Sequence, residues 1–208
     1  MALSSLATTS LTLLVLLATV TTRVGSQTSV RTPNFRAEIA VGYSSPLVKD
    51  ANGTEVRATW SPSIGAGIAW NVAPKTHLSL TLRGARPSLD LEHDGNSWSG
   101  GSATIVDVIA AAEREIWQRV ALRAGLGLVW LTGPDDVAPF RGTSGSQRFH
   151  AAFDAGAVVR PAWKALATRP IFLTFGIQGF RLGNATASDP VTKPGGILRF
   201  MAGVRYGR

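Results

Sequence analysis

The amino-acid sequence predicts an all-β fold, an eight-stranded antiparallel up-and-down β-barrel that spans a membrane. Three observations support this prediction. Apolar and polar residues alternate in eight segments, long polar connections alternate with short ones, and the polar positions hold small residues and arginines with few lysines or glutamates. A period of two is the signature of a β-strand, because successive side chains point to opposite faces.

The predicted strands follow one another from residue 35 to the end of the chain. The clearest one places leucines and a tryptophan on one face, and Arg119, Arg123 and two glycines on the other. The eight segments are residues 35–44, 60–72, 76–84, 102–115, 119–131, 148–163, 171–178 and 197–208. A tilted strand of about nine to eleven residues crosses the hydrocarbon of a bilayer, so these segments are long enough.

Two places depart from simple alternation. In the fourth segment Ile105 and Ile109 share a face with Asp107, a pattern that suits a helix as well as a strand. After Pro87 the apolar phase changes to Leu89, which predicts a β-bulge near the proline.

The connections between these segments alternate in length. The long ones are rich in turn-forming residues. They cover residues 45–58, 92–101, 132–147 and 183–196, and the short ones cover residues 71–76, 115–118 and 162–170. An up-and-down barrel then has all long loops at one end, as in bacterial outer-membrane barrels, where the short turns are periplasmic and the long loops extracellular.

The composition of the two faces indicates lipid outside the barrel. The apolar face contains no lysine and the polar face is small and arginine-rich, as a crowded interior requires. Aromatic residues are expected in two girdles at the membrane interfaces. The predicted girdle residues are Phe35, Trp70, Trp117, Trp163 and Tyr206 near the short turns, and Tyr43, Trp60, Trp130 and Phe149 near the long loops. The alternative is a soluble lipocalin-like ligand carrier with its leucine face inward.

Charged residues recur on the predicted inner face. They are Arg36, Glu38, Arg83, Asp107, Glu113, Arg119, Arg123, Arg148, Asp154, Arg160, Arg199 and Arg205. Buried charges need partners, so we expect an interior network of arginine–carboxylate pairs that closes the pore. The alternative is a site where surplus arginine holds an anion or water. A symmetrical turn around Ile116 predicts that Glu113 lies opposite Arg119.

The N-terminus resembles a secretory signal peptide, with the apolar run of residues 11–20 followed by small polar residues. Val24 and Ser26 suit the positions before a cleavage site, which predicts a signal peptide at residues 1–26 and a barrel domain at residues 27–208. The chain contains no cysteine, so disulfides and thiolate metal sites are excluded.

No strong catalytic motif is present, and we expect neither an enzyme nor a bound cofactor or metal. The polar groups that come nearest to a catalytic set are His77 with Ser79, His150 with Asp154, and His93 and Asp94 with Ser97 or Ser99 in a loop. A lipid-modifying enzyme on the same barrel is the alternative, but it needs a nucleophile and a base within hydrogen-bond reach. The formal net charge is +8, yet the arginines are spread over many strands, which is unlike a nucleic-acid-binding patch.

From residue 35 to residue 208 the chain resembles the small outer-membrane barrels of the outer-membrane protein A and X type. Gly203 and Tyr206 match the C-terminal signature of that family, a glycine followed three residues later by an aromatic, although the chain ends on Gly207 and Arg208. The resemblance implies insertion into the bacterial outer membrane by the barrel-assembly machinery and contact with its lipid. The expected role is structural or surface-interactive, with any ligand held by the long loops.

Overall fold

A computed structural model of the chain describes residues 33–44, 48–49, 52–137, 140, 148–163, 169–181 and 196–207. Its strands are β1 (Asn34–Ser44), β2 (Val48–Lys49), β3 (Glu55–Ala58), β4 (Ser61–Ala73), β5 (Thr76–Ala85), β6 (Ser88–His93), β7 (Asn96–Ser102), β8 (Thr104–Trp117), β9 (Val120–Thr132), β10 (Phe149–Val159), β11 (Ile171–Arg181) and β12 (Gly196–Tyr206). The predicted signal peptide, residues 1–26, lies outside the described residues and stays a prediction.

Eight of these strands close into a barrel in the order β1-β12-β11-β10-β9-β8-β5-β4, and β4 pairs with β1. Every neighbouring pair is antiparallel. The predicted fold class is confirmed, and the ambiguous fourth segment is the strand β8. Closure leaves no unpaired strand edge in the wall, which is the condition for crossing lipid with strands.

The four long connections join strand ends at one end of the barrel, the loop end, and the three short ones join strand ends at the other, the turn end. The first two long connections are more ordered than expected. β2 and β3 lie in the first of them, and β6 and β7 lie at residues 88–102, around the second. These four strands form a separate sheet, the loop-end sheet. Its β6–β7 hairpin turns at Asp94 and Gly95 with φ of 48° and 78°, the left-handed conformation of a two-residue type I′ turn.

The phase change at Pro87 marks the place where the chain leaves the barrel sheet and enters the loop-end sheet. β5 ends at Ala85 and β6 begins at Ser88. An irregularity in pairing is present nearby, between Ser88 and Asp90 in the β6–β7 ladder. Leu89 changes face because it packs into the apolar core between the loop-end sheet and the barrel, where it is fully buried.

The barrel is apolar outside and mostly polar inside. Leu78, Leu80 and Leu82 on β5 are exposed on the outer surface, whereas Ser79, Thr81 and Arg83 between them are buried. The inward leucine face of a lipocalin-like carrier is therefore not what this barrel has. No helix long and apolar enough to span a membrane occurs within the described ranges.

Candidate functional site: the charged barrel interior

Nine of the twelve charged residues predicted for the inner face are buried inside the barrel. They are Arg36, Glu38, Arg83, Asp107, Glu113, Arg123, Asp154, Arg199 and Arg205. The alternation of the strands positions them, since each is flanked along its strand by residues of the opposite face.

The other three arginines lie at the rims. Arg119 is exposed because it lies in the turn between β8 and β9. Arg148 precedes β10, is half-buried, and lies 4.0 Å from Asp135. Arg160 follows β10, and its guanidinium lies 5.3 Å from the centroid of the Phe172 ring. The prediction that these three side chains belong to the interior network is wrong, because Arg119 and Arg148 precede the first residues of β9 and β10 and Arg160 follows the last residue of β10.

Six of the buried charges form one continuous sequence of ion pairs, the mid-barrel chain, in the order Arg199, Asp107, Arg83, Asp154, Arg123 and Glu38. Arg83 is its centre. Its Nε donates a hydrogen bond of 2.9 Å to Asp107, and its Nη2 donates one of 2.7 Å to Asp154. Arg83 therefore connects carboxylates of two other strands, β8 and β10.

The two ends of the mid-barrel chain have longer contacts. Arg199 lies 3.7 Å from Asp107, and Arg123 lies 3.1 Å from Asp154 and 3.8 Å from Glu38. Glu38 also accepts a hydrogen bond of 2.9 Å from the hydroxyl of Thr174. Thr174 was not predicted as part of the network, although its inward position on β11 follows from alternation.

The remaining three charges form the turn-end triad of Arg36, Glu113 and Arg205. Arg205 donates two hydrogen bonds to Glu113, of 2.7 and 3.0 Å, and Arg36 donates a third of 3.1 Å. Such charge-assisted, bidentate contacts are the strong kind. Two guanidinium groups therefore share one carboxylate.

The register of β8 and β9 differs from the predicted one. Glu113 lies opposite Arg123, and the turn falls at residues 118–119 with a pairing irregularity between Glu115 and Trp117. The prediction that Glu113 faces Arg119 is wrong because β8 continues as far as Trp117, beyond the assumed turn centre at Ile116.

Two glycines make room for the interior arginines. A Cβ added at Gly65 would lie 2.7 Å from Cγ of Arg83, and one added at Gly42 would lie 2.8 Å from Nε of Arg199. Both are closer than a real side chain tolerates. These glycines let long arginine side chains lie flat against the wall.

The barrel is closed at the loop end and indented at the turn end. Buried apolar residues fill the loop end, including Leu89 of the loop-end sheet and Phe140 of the third long connection. At the turn end lies a cavity of about 260 Å³, the vestibule, lined by residues of all eight barrel strands. These buried apolar residues, the apolar plug, are not among the features predicted from the sequence, although the alternation of Leu89 and Leu91 before Asp94-Gly95 is a signal of them.

The aromatic residues predicted for the girdles lie near the strand ends, and none of them is buried. Phe35, Trp117, Trp163 and Tyr206 are exposed at the turn end. Trp70 of the same end is half-buried. At the loop end Trp60 and Phe149 are exposed and Tyr43 and Trp130 half-buried, and the rings of Tyr43 and Trp60 lie 5.1 Å apart.

The catalytic candidates are not assembled into a site. His77 forms a hydrogen bond with Asn71, and the Ser79 hydroxyl donates instead to the backbone carbonyl of Ala111. Asp154, which is near His150 in sequence, forms ion pairs with Arg83 and Arg123.

The loop candidates form no catalytic set either. His93 lies 3.3 Å from Asp94 at the tip of the exposed β6–β7 hairpin. Ser97 and Ser99 lie on β7 of the same hairpin, and the Ser99 hydroxyl accepts a hydrogen bond from the backbone of Gly101. Within the described part of the chain, no group of three or more His, Asp or Glu side chains could hold a metal ion.

The molecule is thus a closed eight-stranded barrel with an apolar exterior and an ion-paired interior. Its backbone is similar to that of Ail from Yersinia pestis in a phospholipid nanodisc, with a TM-score of 0.48 and 16% identity over 83% of this chain and 99% of that one. It is also similar to OprG from Pseudomonas aeruginosa, with a TM-score of 0.48 and 11% identity over 86% and 97% of the two chains. Neisserial surface protein A gives a TM-score of 0.45 and 16% identity over 84% and 96%. No protein-family model and no curated protein sequence matches the chain.

Proposed function

We propose that this protein is an integral outer-membrane β-barrel with a closed interior and a structural or surface-interaction role. The observation that supports it is the distribution of polarity, with large apolar side chains outside and paired charges inside. In a water-soluble domain the large apolar side chains lie inside and the charged side chains lie on the surface.

Exposed apolar side chains form a band on the outer surface, and this band is larger than the apolar patches of soluble monomers. They occur on all eight barrel strands and include Ile39, Ile64, Leu80, Val108, Leu126, Phe153, Phe175 and Phe200. Soluble monomers rarely expose contiguous apolar patches beyond a few hundred Å². Hydrocarbon is the solvent that such a band suits.

The closed interior favours a role at the surface over a role in transport. In the described part of the chain, the mid-barrel chain crosses the interior and buried apolar residues fill the loop end, which favours a closed interior. Among the described residues outside the barrel, only the loop-end sheet contains strands, and it exposes Trp98 on β7. Any macromolecular partner is expected at this sheet, and the barrel-assembly machinery and lipid are the expected partners of the wall.

Membrane fractionation tests the location. The protein is expected in the outer-membrane pellet after extraction at alkaline pH, and to migrate faster on a denaturing gel when unheated than when boiled. A soluble periplasmic protein in the same sample serves as control. Release into the alkaline supernatant contradicts the proposal.

The orientation has its own test, because the chain has no native cysteine. We expect Asp94→Cys, at the tip of the β6–β7 hairpin, to react in intact cells with a maleimide that cannot cross the membrane. Gln118→Cys, in a turn at the opposite end, is the matched control and is expected to react only after lysis. The reverse pattern contradicts the assignment of long loops to the cell exterior.

A further inference from the structure

The positive charge of the interior is concentrated at the turn end. The mid-barrel chain contains three arginines and three carboxylates, so it is balanced. The turn-end triad contains two arginines and one carboxylate, Glu113. The uncompensated guanidinium charge therefore lies beside the vestibule.

The walls of the vestibule add to this surplus. Arg36, Arg119, Arg160 and Arg205 line it together with Glu113 and Glu115, which is four arginines against two glutamates. In the described part of the chain, no carboxylate oxygen lies within 4.0 Å of the Arg119 or Arg160 guanidinium. These two side chains reach the cavity without an ion-pair partner.

A buried donor in the same wall has no acceptor. Arg205 is 3% exposed, and its Nε makes no hydrogen bond although its other two nitrogens bind Glu113. Its guanidinium and that of Arg160 both lie against the Phe172 ring, at 5.1 and 5.3 Å from the centroid. Contact with the Phe172 ring therefore places the guanidinium groups of Arg160 and Arg205 close together in the wall of the cavity.

We propose that the vestibule binds a phosphate group. Guanidinium forks match phosphate oxygens in geometry. A phosphate monoester carries about two negative charges near neutral pH, which equals the surplus of two arginines in the lining. A volume of about 260 Å³ holds such a group with several waters, each of which takes about 30 Å³.

The chain's own N-terminal segment does not offer the missing negative charge. Residues 1–33 contain no acidic side chain, and Asn34 lies at the edge of the vestibule. The phosphate group belongs to another molecule, either a soluble phosphate or a lipid headgroup at the same membrane interface. This inference is independent of the proposed surface role.

Calorimetric titration of the refolded full chain in a non-ionic detergent with inorganic phosphate tests the site. We expect saturable binding that equal ionic strength of sodium chloride does not abolish. Arg119→Gln combined with Arg160→Gln is expected to weaken it by about tenfold or more, because each removes a charge-assisted hydrogen bond. Arg114→Gln is the matched control, since this exposed residue of β8 does not line the vestibule, and it should leave the affinity unchanged.

Folding of each variant is checked by its heat-dependent gel mobility. If the double variant does not fold, Arg119→Gln alone, in an exposed turn, is expected to weaken binding by several-fold. Absence of saturable binding, loss of binding in matched chloride, or equal affinities of the arginine variants and the wild type overturns the proposal.

Nanodiscs distinguish the two sources of phosphate. At high ionic strength, which screens the charge of the lipid surface, a weaker apparent affinity for soluble phosphate in phosphatidylglycerol nanodiscs than in phosphatidylcholine nanodiscs supports occupation of the vestibule by the anionic lipid. Equal affinities in the two lipids support a soluble phosphate ligand.

Discussion

Arg83 and Asp154 form a hydrogen bond of 2.7 Å across the inside of the barrel, although their strands are three positions apart around the wall. Both side chains are almost completely buried. A contact of this kind exists only where opposite sides of the wall are close enough for side chains to meet. The pair therefore shows that the interior of this eight-stranded barrel is filled, as expected for a barrel of this size.

The first prediction concerns conductance. Because the Arg83–Asp154 pair and the apolar plug occupy the interior, the protein in a planar lipid bilayer is expected to show no sustained channel openings. A general porin in the same bilayer is the positive control. Large, long-lived channel openings of the purified protein would contradict a closed interior.

The second prediction concerns stability. Arg83→Met keeps most of the side-chain volume but leaves Asp107 and Asp154 without their shared partner, so it should cost about 3 to 5 kcal/mol of unfolding free energy. Arg57→Met is the matched control, since Arg57 pairs with Glu55 and Glu92 on the exposed loop-end sheet and its loss should change the stability far less. Urea titrations in lipid vesicles measure both. Equal costs for the two variants would mean that the mid-barrel chain is exposed to water.

The third prediction concerns the turn-end triad. A double-mutant cycle between Glu113 and Arg205 should give an attractive coupling of about 1 kcal/mol or more, because the two side chains share two hydrogen bonds. The same cycle between Glu113 and Arg119 should give a coupling near zero. An attractive Glu113–Arg119 coupling would restore the register expected from the sequence and contradict the observed one.

The fourth prediction compares two glycines on neighbouring strands. Gly65→Ala places a Cβ against Arg83 and should lower the unfolding free energy by about 1 to 3 kcal/mol through overpacking. A Cβ at Gly84 meets nothing within 4 Å, so Gly84→Ala should leave the stability unchanged or raise it by up to about 1 kcal/mol. If Gly65→Ala were the harmless one, Arg83 would not lie against β4.

The sequence predicts the wall of the barrel well because a closed sheet with different solvents on its two sides demands strict alternation. Glu38, Asp107 and Arg199 could be assigned to the interior from that alternation alone. Which charged residues pair with each other could not be predicted from alternation. Arg83 and Asp154, for example, are 71 residues apart in the sequence and meet only because of the stagger of the closed sheet.

The predictions from alternation are wrong for residues beyond the ends of the strands. Arg119 fits the alternating pattern but lies in a turn, and the period of two contains no information about the last paired residue. The loop-end sheet is not predicted from the sequence, because its strands are short and its turns are polar and glycine-rich. Only Leu89 and Leu91, followed by Asp94 and Gly95, indicated a hairpin there.

Fluorescence quenching by lipid tests the central claim, that the apolar outer face contacts hydrocarbon. The absence of native cysteine allows a single dye at Leu126→Cys, on the exposed outer face in the middle of β9, and at Asp94→Cys on the β6–β7 hairpin as control. In vesicles, the dye at residue 126 should be quenched by nitroxide lipids labelled near the bilayer centre and protected from aqueous iodide, and the dye at residue 94 should show the opposite. A dye at residue 126 that iodide quenches and nitroxide lipid does not would contradict the account.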